Sequence, residues 1–341
     1  MAKRIWRIFV NEVIDIDRTP LCLLEEAGCE VILGRPMGEF PRYSEEEMIH
    51  WAANVDAFMG ASRDPYTQRV IAASKRLQLI SKFGVGIEKI DLKTASEYGV
   101  LVCNSPIEEN GEAVAEHTIA LMLALTKKLK NMETHLRAGE WRDISVYPED
   151  LCGKTIGIIG LGRIGRAVAQ RLQHWGVKLL FYGPSVDITS LKTMEIEKTG
   201  LDTLLRESDI VSLHLVAKPE THHFLNKEKL RLMKPTAYLI NTARGEVIDE
   251  SALVEALREN WIAGAGLDVF EKEPMPSNHP LLSFEQVLLT PHTAGLTPRS
   301  RRKILEKAVE NCLSVFRGEI PPFLVNPEAL PRWRERFGKQ V

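Results

Sequence analysis

The chain has 341 residues, 44% of them apolar and 26% charged, with a net charge of -2 at pH 7. This length and apolar content allow two domains with a core each. The balanced charge gives no field that would attract nucleic acid or an anionic membrane, so we expect a small-molecule partner.

The cysteines and the N-terminus indicate a cytoplasmic protein. The five cysteines are odd in number and form neither a C-x-x-C pair nor a Cys/His cluster, which favours reduced thiols. The first apolar run is interrupted at Arg7, so it predicts a strand rather than a signal peptide. The longest apolar run, residues 119–125, is too short to span a bilayer.

The first part of the chain predicts a small α/β domain, because strand-like runs alternate there with helical or loop segments. The predicted strands are 5–10, 30–33, 55–60, 77–81 and 100–103.

A helix is predicted over residues 112–130. It is apolar nearly all round, and it ends in Lys127, Lys128 and Lys130, which suit the carboxyl end of the helix dipole. Such a helix lies either within the core of one domain or at a boundary between domains or subunits. The second alternative predicts a dimer.

A glycine-rich run, Gly160-Leu-Gly162-Arg-Ile-Gly165, follows the apolar strand 156–159. An amphipathic helix is predicted next, with Ile164, Val168, Leu172 and Trp175 on one face and Gly176 at its end. A second strand at 177–182 completes a β-α-β unit. In this setting the glycines allow a tight turn, close approach of a pyrophosphate and close helix packing, so we predict a dinucleotide site.

The sequence leaves NAD and NADP open. An NAD site usually has Asp or Glu at the end of the second strand, for the ribose hydroxyls. Here Gly183-Pro184-Ser185 stands at that point, with no carboxylate to repel a 2'-phosphate and no arginine to bind one. The missing repulsive group favours NADP.

Further strands restart the alternation and predict a larger, doubly wound sheet. They are expected at 156–159, 177–182, 210–215, 237–241, 264–269 and 287–290. The segment after Pro291, with a helix over 303–316, is too short for a domain and is expected to return to the first one. The basic tail 331–337 is predicted to be a solvated or docked terminus.

Polar side chains follow three of these strands, where an open α/β sheet binds its ligands. Arg244 would grip a substrate carboxylate, and His292 would exchange the hydroxyl proton as hydride moves. Glu273 would stabilise the protonated imidazole, and Asp268 could hold a nicotinamide carboxamide. These residue types suit hydride transfer to and from a 2-hydroxy acid.

Other chemistries find less support. The sequence contains no Gly-x-Ser-x-Gly elbow for a nucleophile. His222 and His223 lack a spaced carboxylate or cysteine partner, so we predict no metal site.

The chain resembles the D-isomer-specific 2-hydroxyacid dehydrogenases, and within them the short phosphoglycerate-dehydrogenase-like members. The resemblance covers about residues 77–327. It is carried by the motifs Lys82-Phe-Gly-Val-Gly-Ile-Glu-Lys-Ile-Asp91, Asn110-Gly-Glu-Ala-Val-Ala-Glu-His117, the glycine turn, Asn241-Thr-Ala-Arg244-Gly, Gly266-Leu-Asp-Val-Phe-Glu-Lys-Glu273-Pro and Thr290-Pro-His292-Thr-Ala-Gly295.

The resemblance implies a catalytic trio of Arg244, Glu273 and His292, and a homodimer built around the helix near Glu112. It also implies that the amides of Val85 and Gly86 bind the substrate carboxylate. Lys82 stands where phosphoglycerate-binding relatives can carry a cation, so it either binds a phosphate or simply faces solvent.

We therefore predict two Rossmann-like, doubly wound parallel-sheet domains with a cleft between them. Residues 1–103 with 293–341 would bind substrate, and residues 104–292 would bind the dinucleotide. The predicted cofactor contacts are Gly160, Gly162, Arg163, Ile164, Gly165, Pro184, Ser185, Thr221, Thr242 and Asp268.

The predicted activity is the NAD(P)-dependent interconversion of a small D-2-hydroxy acid and its 2-keto acid, with substrates of phosphoglycerate, glyoxylate or hydroxypyruvate type. Two alternatives use the same scaffold. One is oxidation of another small oxyanion such as phosphite. The other is a non-catalytic, cofactor-sensing protein like the corepressors that share this fold.

Overall fold

The computed structural model describes residues 5–14, 18–40, 42–60, 64–141, 147–184, 186, 191 and 194–338. The chain forms two compact units, Met1–Asn110 with Thr297–Val341, and Gly111–Leu296. The division predicted from the sequence places the boundaries at 103/104 and 292/293.

Twelve strands lie in the described part of the chain. In order they are β1 (Arg7–Val13), β2 (Glu30–Pro36), β3 (Ala57–Gly60), β4 (Leu79–Lys82), β5 (Leu101–Cys103), β6 (Thr155–Ile159), β7 (Lys178–Tyr182), β8 (Glu197–Lys198), β9 (Ile210–Leu213), β10 (Tyr238–Asn241), β11 (Gly264–Leu267) and β12 (Val287–Leu289).

The α-helices of the described residues follow the same alternation. They are α1 (Thr19–Glu26), α2 (Glu45–Asn54), α3 (Gln68–Ala72), α4 (Leu92–Glu97), α5 (Glu108–Thr126), α6 (Leu129–Arg137), α7 (Arg163–Leu172), α8 (Leu201–Glu207), α9 (Lys227–Leu230), α10 (Glu250–Arg258), α11 (Pro298–Phe316) and α12 (Leu330–Phe337).

The first unit contains a parallel sheet with strand order β2-β1-β3-β4-β5. Successive residues of a strand face opposite sides of the sheet, and β1 shows this clearly. Ile8 and Val10 belong to one apolar core, whereas Phe9 belongs to another. Each face of the sheet is therefore covered.

The second unit contains a parallel sheet with strand order β12-β11-β10-β9-β6-β7-β8. It too has one apolar core on each face. The chain enters at β6, runs outward through β7 and β8, and then crosses to β9 on the other side of β6. The order thus reverses beside β6, where sheets of this kind open a crevice at their carboxyl edge. The predicted fold class of two parallel α/β domains is confirmed.

Three predicted helices differ from the observed ones in extent. The predicted helix 112–130 is divided, because α5 ends at Thr126 and Lys128 has a φ of +52° before α6 begins. The helix after the glycine turn ends at Leu172, so Trp175 lies beyond it and is 41% exposed. The predicted helix 303–316 begins earlier, at Pro298, where the Thr297 side chain accepts a hydrogen bond from Ser300 N.

The C-terminal segment packs on the first unit. Trp333 and Phe337 of α12 are buried in the same apolar core as Ile8. The tail is therefore docked. Among the helices that the structure describes, none has the length and apolar character that crossing a membrane requires.

Candidate active site

A tight turn joins β6 to α7. Gly160 has a φ of +93°, and a Cβ built on it would lie 2.7 Å from the carbonyl oxygen of His214, just after β9. A Cβ on Gly165 would come closer than 3.0 Å to the carbonyl oxygen of Gly160. These two positions therefore require glycine, and α7 starts directly against the turn.

The N-terminus of α7 is open to a ligand. A Cβ on Gly162, the N-cap residue, would meet no described atom within 4 Å, and no described side chain caps the helix there. The first N–H groups of a helix bind anions, and the helix dipole adds to this attraction. The turn therefore fits a pyrophosphate. It also brings together the predicted cofactor residues Gly160, Gly162, Ile164 and Gly165.

Arg163, a further predicted cofactor residue, is exposed at the first position of α7. Its side chain lies over α5, where a Cβ on Gly111 would be 3.3 Å from Arg163 Nε. The missing side chain at Gly111 therefore makes room for the guanidinium beside the turn.

The end of β7 carries no acidic side chain. Tyr182 is followed by Gly183 and Pro184, and a Cβ on Gly183 would lie 2.9 Å from Val186 Cγ2. Ser185, another predicted cofactor residue, lies outside the described residues.

Thr221 shapes the loop after β9. Its Oγ1 donates to Val216 O over 2.6 Å and accepts from Lys218 N over 3.0 Å. The side chain is 8% exposed. The Thr221 hydroxyl thus holds together the loop after β9, in which Thr221 is the predicted cofactor contact.

His214 belongs to this region, although no role in the site was predicted for it from the sequence. Burial lowers the pKa of His214 to about 4, so its imidazole is neutral near pH 7. Its Nε2 lies 2.9 Å from Ser212 Oγ, and its amide donates to Ile159 O at the end of β6. The available sequence signal was a histidine near the end of the predicted strand 210–215.

Three neighbouring strands of the second sheet end side by side. Asn241 of β10 pairs with Leu267 of β11, and Leu267 pairs with Leu289 of β12. The loops that follow these three residues carry Arg244, Glu273 and His292, and they begin at one edge of the sheet.

Glu273 and His292 are in direct contact. Glu273 Oε2 and His292 Nδ1 are 2.7 Å apart, and Glu273 Oε1 accepts a hydrogen bond from Phe270 N over 3.2 Å. The His292 side chain is 41% exposed and that of Glu273 is 26% exposed. The carboxylate therefore fixes the imidazole from one side and leaves His292 Nε2 for another partner.

Asp268 holds the backbone around His292. Its Oδ1 accepts from Thr290 Oγ1 and from Thr293 N, and its Oδ2 accepts from Ala294 N. Its carbonyl accepts from His292 N over 2.7 Å, at a residue with a φ of +55°. Asp268 is 1% exposed. Its carboxylate therefore stabilises an uncommon backbone conformation at the histidine.

The Arg244 loop is fixed by two side chains that donate hydrogen bonds to its backbone carbonyls. Asn241 Nδ2 donates to Arg244 O over 2.8 Å, and Arg244 Nη1 donates to Ala243 O over 2.7 Å. A Cβ on Gly245 would come closer than 3.0 Å to three backbone atoms of Phe270 and Glu271. Gly245 thus lets the Arg244 loop lie directly against the loop that carries Glu273.

Thr242, a predicted cofactor contact, is 6% exposed, and its Oγ1 lies 2.8 Å from Thr118 Oγ1 on α5. The hydroxyl is therefore bonded within the protein.

The predicted substrate residues of the first unit lie at the end of β4, in the case of Lys82, and just after it, in the case of Val85 and Gly86. Lys82 is 4% exposed, and its Nζ donates to Phe83 O over 2.8 Å. Val85 is 43% exposed, and among the described residues neither the Val85 amide nor the Gly86 amide has a hydrogen-bond acceptor. These two amides can therefore donate to a ligand.

The geometry defines a class of protein. A doubly wound sheet presents an anion-binding turn at β6 and an imidazole-carboxylate pair with a neighbouring arginine at the ends of β10 to β12. All of these lie at the carboxyl edge of the same sheet, as in an oxidoreductase that uses a dinucleotide.

Comparisons with known proteins identify the family. Residues 119–294 match the model of the D-isomer specific 2-hydroxyacid dehydrogenase NAD-binding domain. The chain is 42% identical over 333 residues to a glyoxylate reductase of Thermofilum pendens, a match that covers 95% of each chain.

Two solved structures with a similar fold are consistent with this family assignment. A protein from Thermus thermophilus has a TM-score of 0.85 and 35% identity, covering 94% of this chain and 99% of its own. An NADPH-dependent glyoxylate/hydroxypyruvate reductase from Sinorhizobium meliloti has a TM-score of 0.79 and 29% identity, covering 95% of this chain and 98% of its own.

The chain belongs to the D-isomer-specific 2-hydroxyacid dehydrogenases. It is an NAD(P)-dependent oxidoreductase that interconverts a D-2-hydroxy acid and its 2-keto acid, as the sequence analysis predicted.

Proposed function

We propose that the protein reduces glyoxylate, hydroxypyruvate or a similarly small 2-keto acid, with NADPH as the preferred coenzyme. The observation that carries the proposal is the 2.7 Å contact between Glu273 and His292, on the sheet edge that also carries Arg244. A paired imidazole and a guanidinium are suited to protonating an oxygen next to a carboxylate. The names of the two reductases above point to the same substrates.

Arg244 is assigned to the substrate carboxylate. A guanidinium binds a carboxylate through two parallel N–H···O bonds, which fix orientation as well as position. The rigid backbone around Arg244, held by Asn241 and by the contact at Gly245, supports this role.

His292 is assigned to holding and moving the proton. Because its Nδ1 faces Glu273, its Nε2 is the nitrogen that reaches the substrate. In reduction, Nε2–H gives its proton to the oxygen of the former keto group, and in oxidation Nε2 takes it back. The negative charge of Glu273 stabilises the imidazolium and fixes the ring. When bound, the nicotinamide ring supplies or accepts the hydride.

The second unit is assigned to the dinucleotide. The open N-terminus of α7 would hold the pyrophosphate through the amides that follow Gly162, with Arg163 beside it. Pro184, Ser185, Thr221 and Thr242 stay predicted contacts. Asp268 stays a predicted partner of the carboxamide, in addition to its observed bonds.

The preference for NADPH is supported by the end of β7. A carboxylate there would repel a 2'-phosphate, and residues 182–184 are Tyr-Gly-Pro.

The first unit is assigned to the substrate, with the amides of Val85 and Gly86 as donors to its carboxylate. Lys82 is buried and donates to a backbone carbonyl, so it is poorly suited to bind a phosphate. We therefore favour keto acids without a phosphate group over the phosphoglycerate type.

We also propose a homodimer. α6 has no buried residue, and its Leu129, Met132 and Leu136, spaced at i, i+3 and i+7, are 54%, 37% and 58% exposed. An apolar stripe of this kind marks an interaction surface. Light scattering coupled to gel filtration would give twice the mass of one chain.

A cytoplasmic location is proposed as well. All five cysteines are free, and Cys29, Cys103 and Cys312 are buried thiols, as expected in a reducing compartment.

The proposal is tested by a substrate panel. Glyoxylate, hydroxypyruvate, pyruvate and phosphohydroxypyruvate are each assayed with NADH and NADPH, and the loss of reduced-nicotinamide absorbance is measured. We expect the highest kcat/KM for glyoxylate or hydroxypyruvate with NADPH. A clear preference for phosphohydroxypyruvate, or no turnover with any of the four acids, would contradict the proposal.

A further inference from the structure

Thr118 on α5 is hydrogen-bonded to the loop that carries Arg244. Its Oγ1 donates to Val114 O over 2.7 Å, one helical turn earlier. A hydroxyl has one proton, so the 2.8 Å bond between the two hydroxyls is donated by Thr242. Thr242 is two residues before Arg244, and this bond therefore fixes the start of the Arg244 loop.

The preceding residue, His117, is hydrogen-bonded to the loop that carries His292. Thr290 Oγ1 uses its proton in a 2.6 Å bond to Asp268 Oδ1. The 3.0 Å bond between His117 Nε2 and Thr290 Oγ1 is therefore donated by the imidazole. Thr290 is two residues before His292, and Asp268 holds the two residues after it. His117 thus supports the segment before His292, and Asp268 supports the segment after it.

The close approach of α5 to the sheet depends on Gly266 in β11. A Cβ on Gly266 would lie 3.1 Å from Leu121 Cβ and 3.3 Å from Leu125 Cδ1. β11 lies between β10 and β12, the strands that end just before the two bonded threonines. Consecutive residues of a helix point about 100° apart, so adjacent side chains can reach to either side of β11.

We propose that His117 and Thr118 are positioning residues for the reaction. Their bonds to Thr290 and Thr242, which we call the α5 clasp, set the spacing of the Arg244 and His292 loops across β11. The inference rests on the catalytic roles proposed above. A guanidinium and an imidazole that must meet one small substrate tolerate little error, since a displacement of about 1 Å can cost about 10²-fold in rate.

The first test replaces Thr118 by valine, which keeps the shape and removes the hydroxyl. Thr126→Val is the matched control. Thr126 is also fully buried on α5 and donates to Met122 O over 2.9 Å, but its hydroxyl bonds no described residue outside the helix. We expect Thr118→Val to lower kcat about tenfold and to leave the NADPH Kd within about twofold. Thr126→Val should keep kcat within about twofold, and Thr118→Ser should restore it.

The second test exploits the donor role of His117. A glutamine side chain can place an amide N–H near the position of His117 Nε2, whereas methionine cannot donate. We expect His117→Gln to keep most of the activity. His117→Met should lower kcat and raise the primary deuterium isotope effect on hydride transfer, because a displaced acid makes the chemical step slower.

Two results would overturn the α5 clasp. One is an equal effect of Thr118→Val and Thr126→Val on kcat. The other is a loss that resides entirely in the NADPH Kd. Arg244→Ala and His292→Asn are measured in parallel, so that the two proposals fail separately. If these variants keep full activity, the proposed function is wrong. If they lose activity while Thr118→Val and His117→Met do not, only the clasp is wrong.

Discussion

The contact between the Arg244 and Glu273 loops makes Gly245 a sensitive position. A Cβ there would come closer than 3.0 Å to Phe270 C, Phe270 O and Glu271 N at once, whereas ordinary contacts begin at 3.4 Å. All three are backbone atoms and cannot turn aside as a side-chain tip can. We therefore expect Gly245→Ala to separate the two loops by about 1 Å, the scale of shift that overpacking forces.

This displacement acts directly on the proposed chemistry. Arg244 precedes Gly245, and Glu273 follows the peptide that has to move. A misplacement of about 1 Å costs about 10²-fold, which corresponds to about 2.7 kcal/mol of transition-state stabilisation. The N-terminus of α7 lies on a different segment of the sheet edge, so the NADPH Kd should change little.

The assay compares kcat/KM for glyoxylate with the NADPH Kd measured by fluorescence. Gly200→Ala is the control, because a Cβ at Gly200 would meet no described atom within 4 Å and its φ is -69°. The control should behave as wild type. A Gly245→Ala protein that folds normally and keeps kcat/KM within about threefold would rule out the expected displacement, because so small a change does not fit a displaced catalytic loop.

Three further predictions concern the dinucleotide side. Gly162→Ala should leave the melting temperature of the unliganded protein unchanged and weaken NADPH binding at least tenfold, which corresponds to about 1.4 kcal/mol. The reason is that the added Cβ would point into the space assigned to the pyrophosphate. Unchanged binding in calorimetry would reject that assignment. Gly183→Asp should lower the ratio of kcat/KM with NADPH to kcat/KM with NADH by about tenfold, because the new carboxylate would repel the 2'-phosphate. The aspartate fits once Val186 Cγ2 has moved aside. An unaltered ratio would count against the NADPH preference. Burial lowers the pKa of His214 from 6.5 to about 4, so the unfolded chain takes up this proton at a higher pH than the folded chain does. The free energy of unfolding should therefore be at its full value above pH 6.5 and should be lower by about 2 kcal/mol at pH 5. A His214→Gln variant with the same pH dependence of denaturant unfolding as wild type would contradict this prediction.

Much of the fold could be predicted from the sequence because local patterns decide it. Short β-branched runs between helical segments predict parallel strands, and β6, β7, β9, β10, β11 and β12 all overlap predicted strands. The extent of helices was less predictable. The break at Lys128 places a non-glycine residue in the left-handed region, which tertiary packing selects and no local signal marks.

The proposed catalytic side chains could be predicted because each follows a strand end. Parallel neighbouring strands bring such positions to one edge whatever the details of packing. The 2.7 Å contact between Glu273 and His292 agrees with the role suggested for the carboxylate from residue type alone.

The supporting bonds could not be predicted in the same way. Thr118 and Thr242 are 124 residues apart, and His117 and Thr290 are 173 apart, so only the folded chain reveals the pairing. Asp268 was assigned to the cofactor from its place at a strand end, and the three donors around its carboxylate became visible only in the structure.

In the proposed function, Arg244 binds the carboxylate of a small keto acid that is reduced beside His292. The most direct measurement is NADPH oxidation with glyoxylate by the wild-type protein and by Arg244→Ala, together with the NADPH Kd of each. We predict a loss of at least about 10²-fold in kcat/KM at unchanged coenzyme affinity, as expected for a lost bidentate, charge-assisted pair. An Arg244→Ala protein that retains kcat/KM within about tenfold of wild type would contradict it.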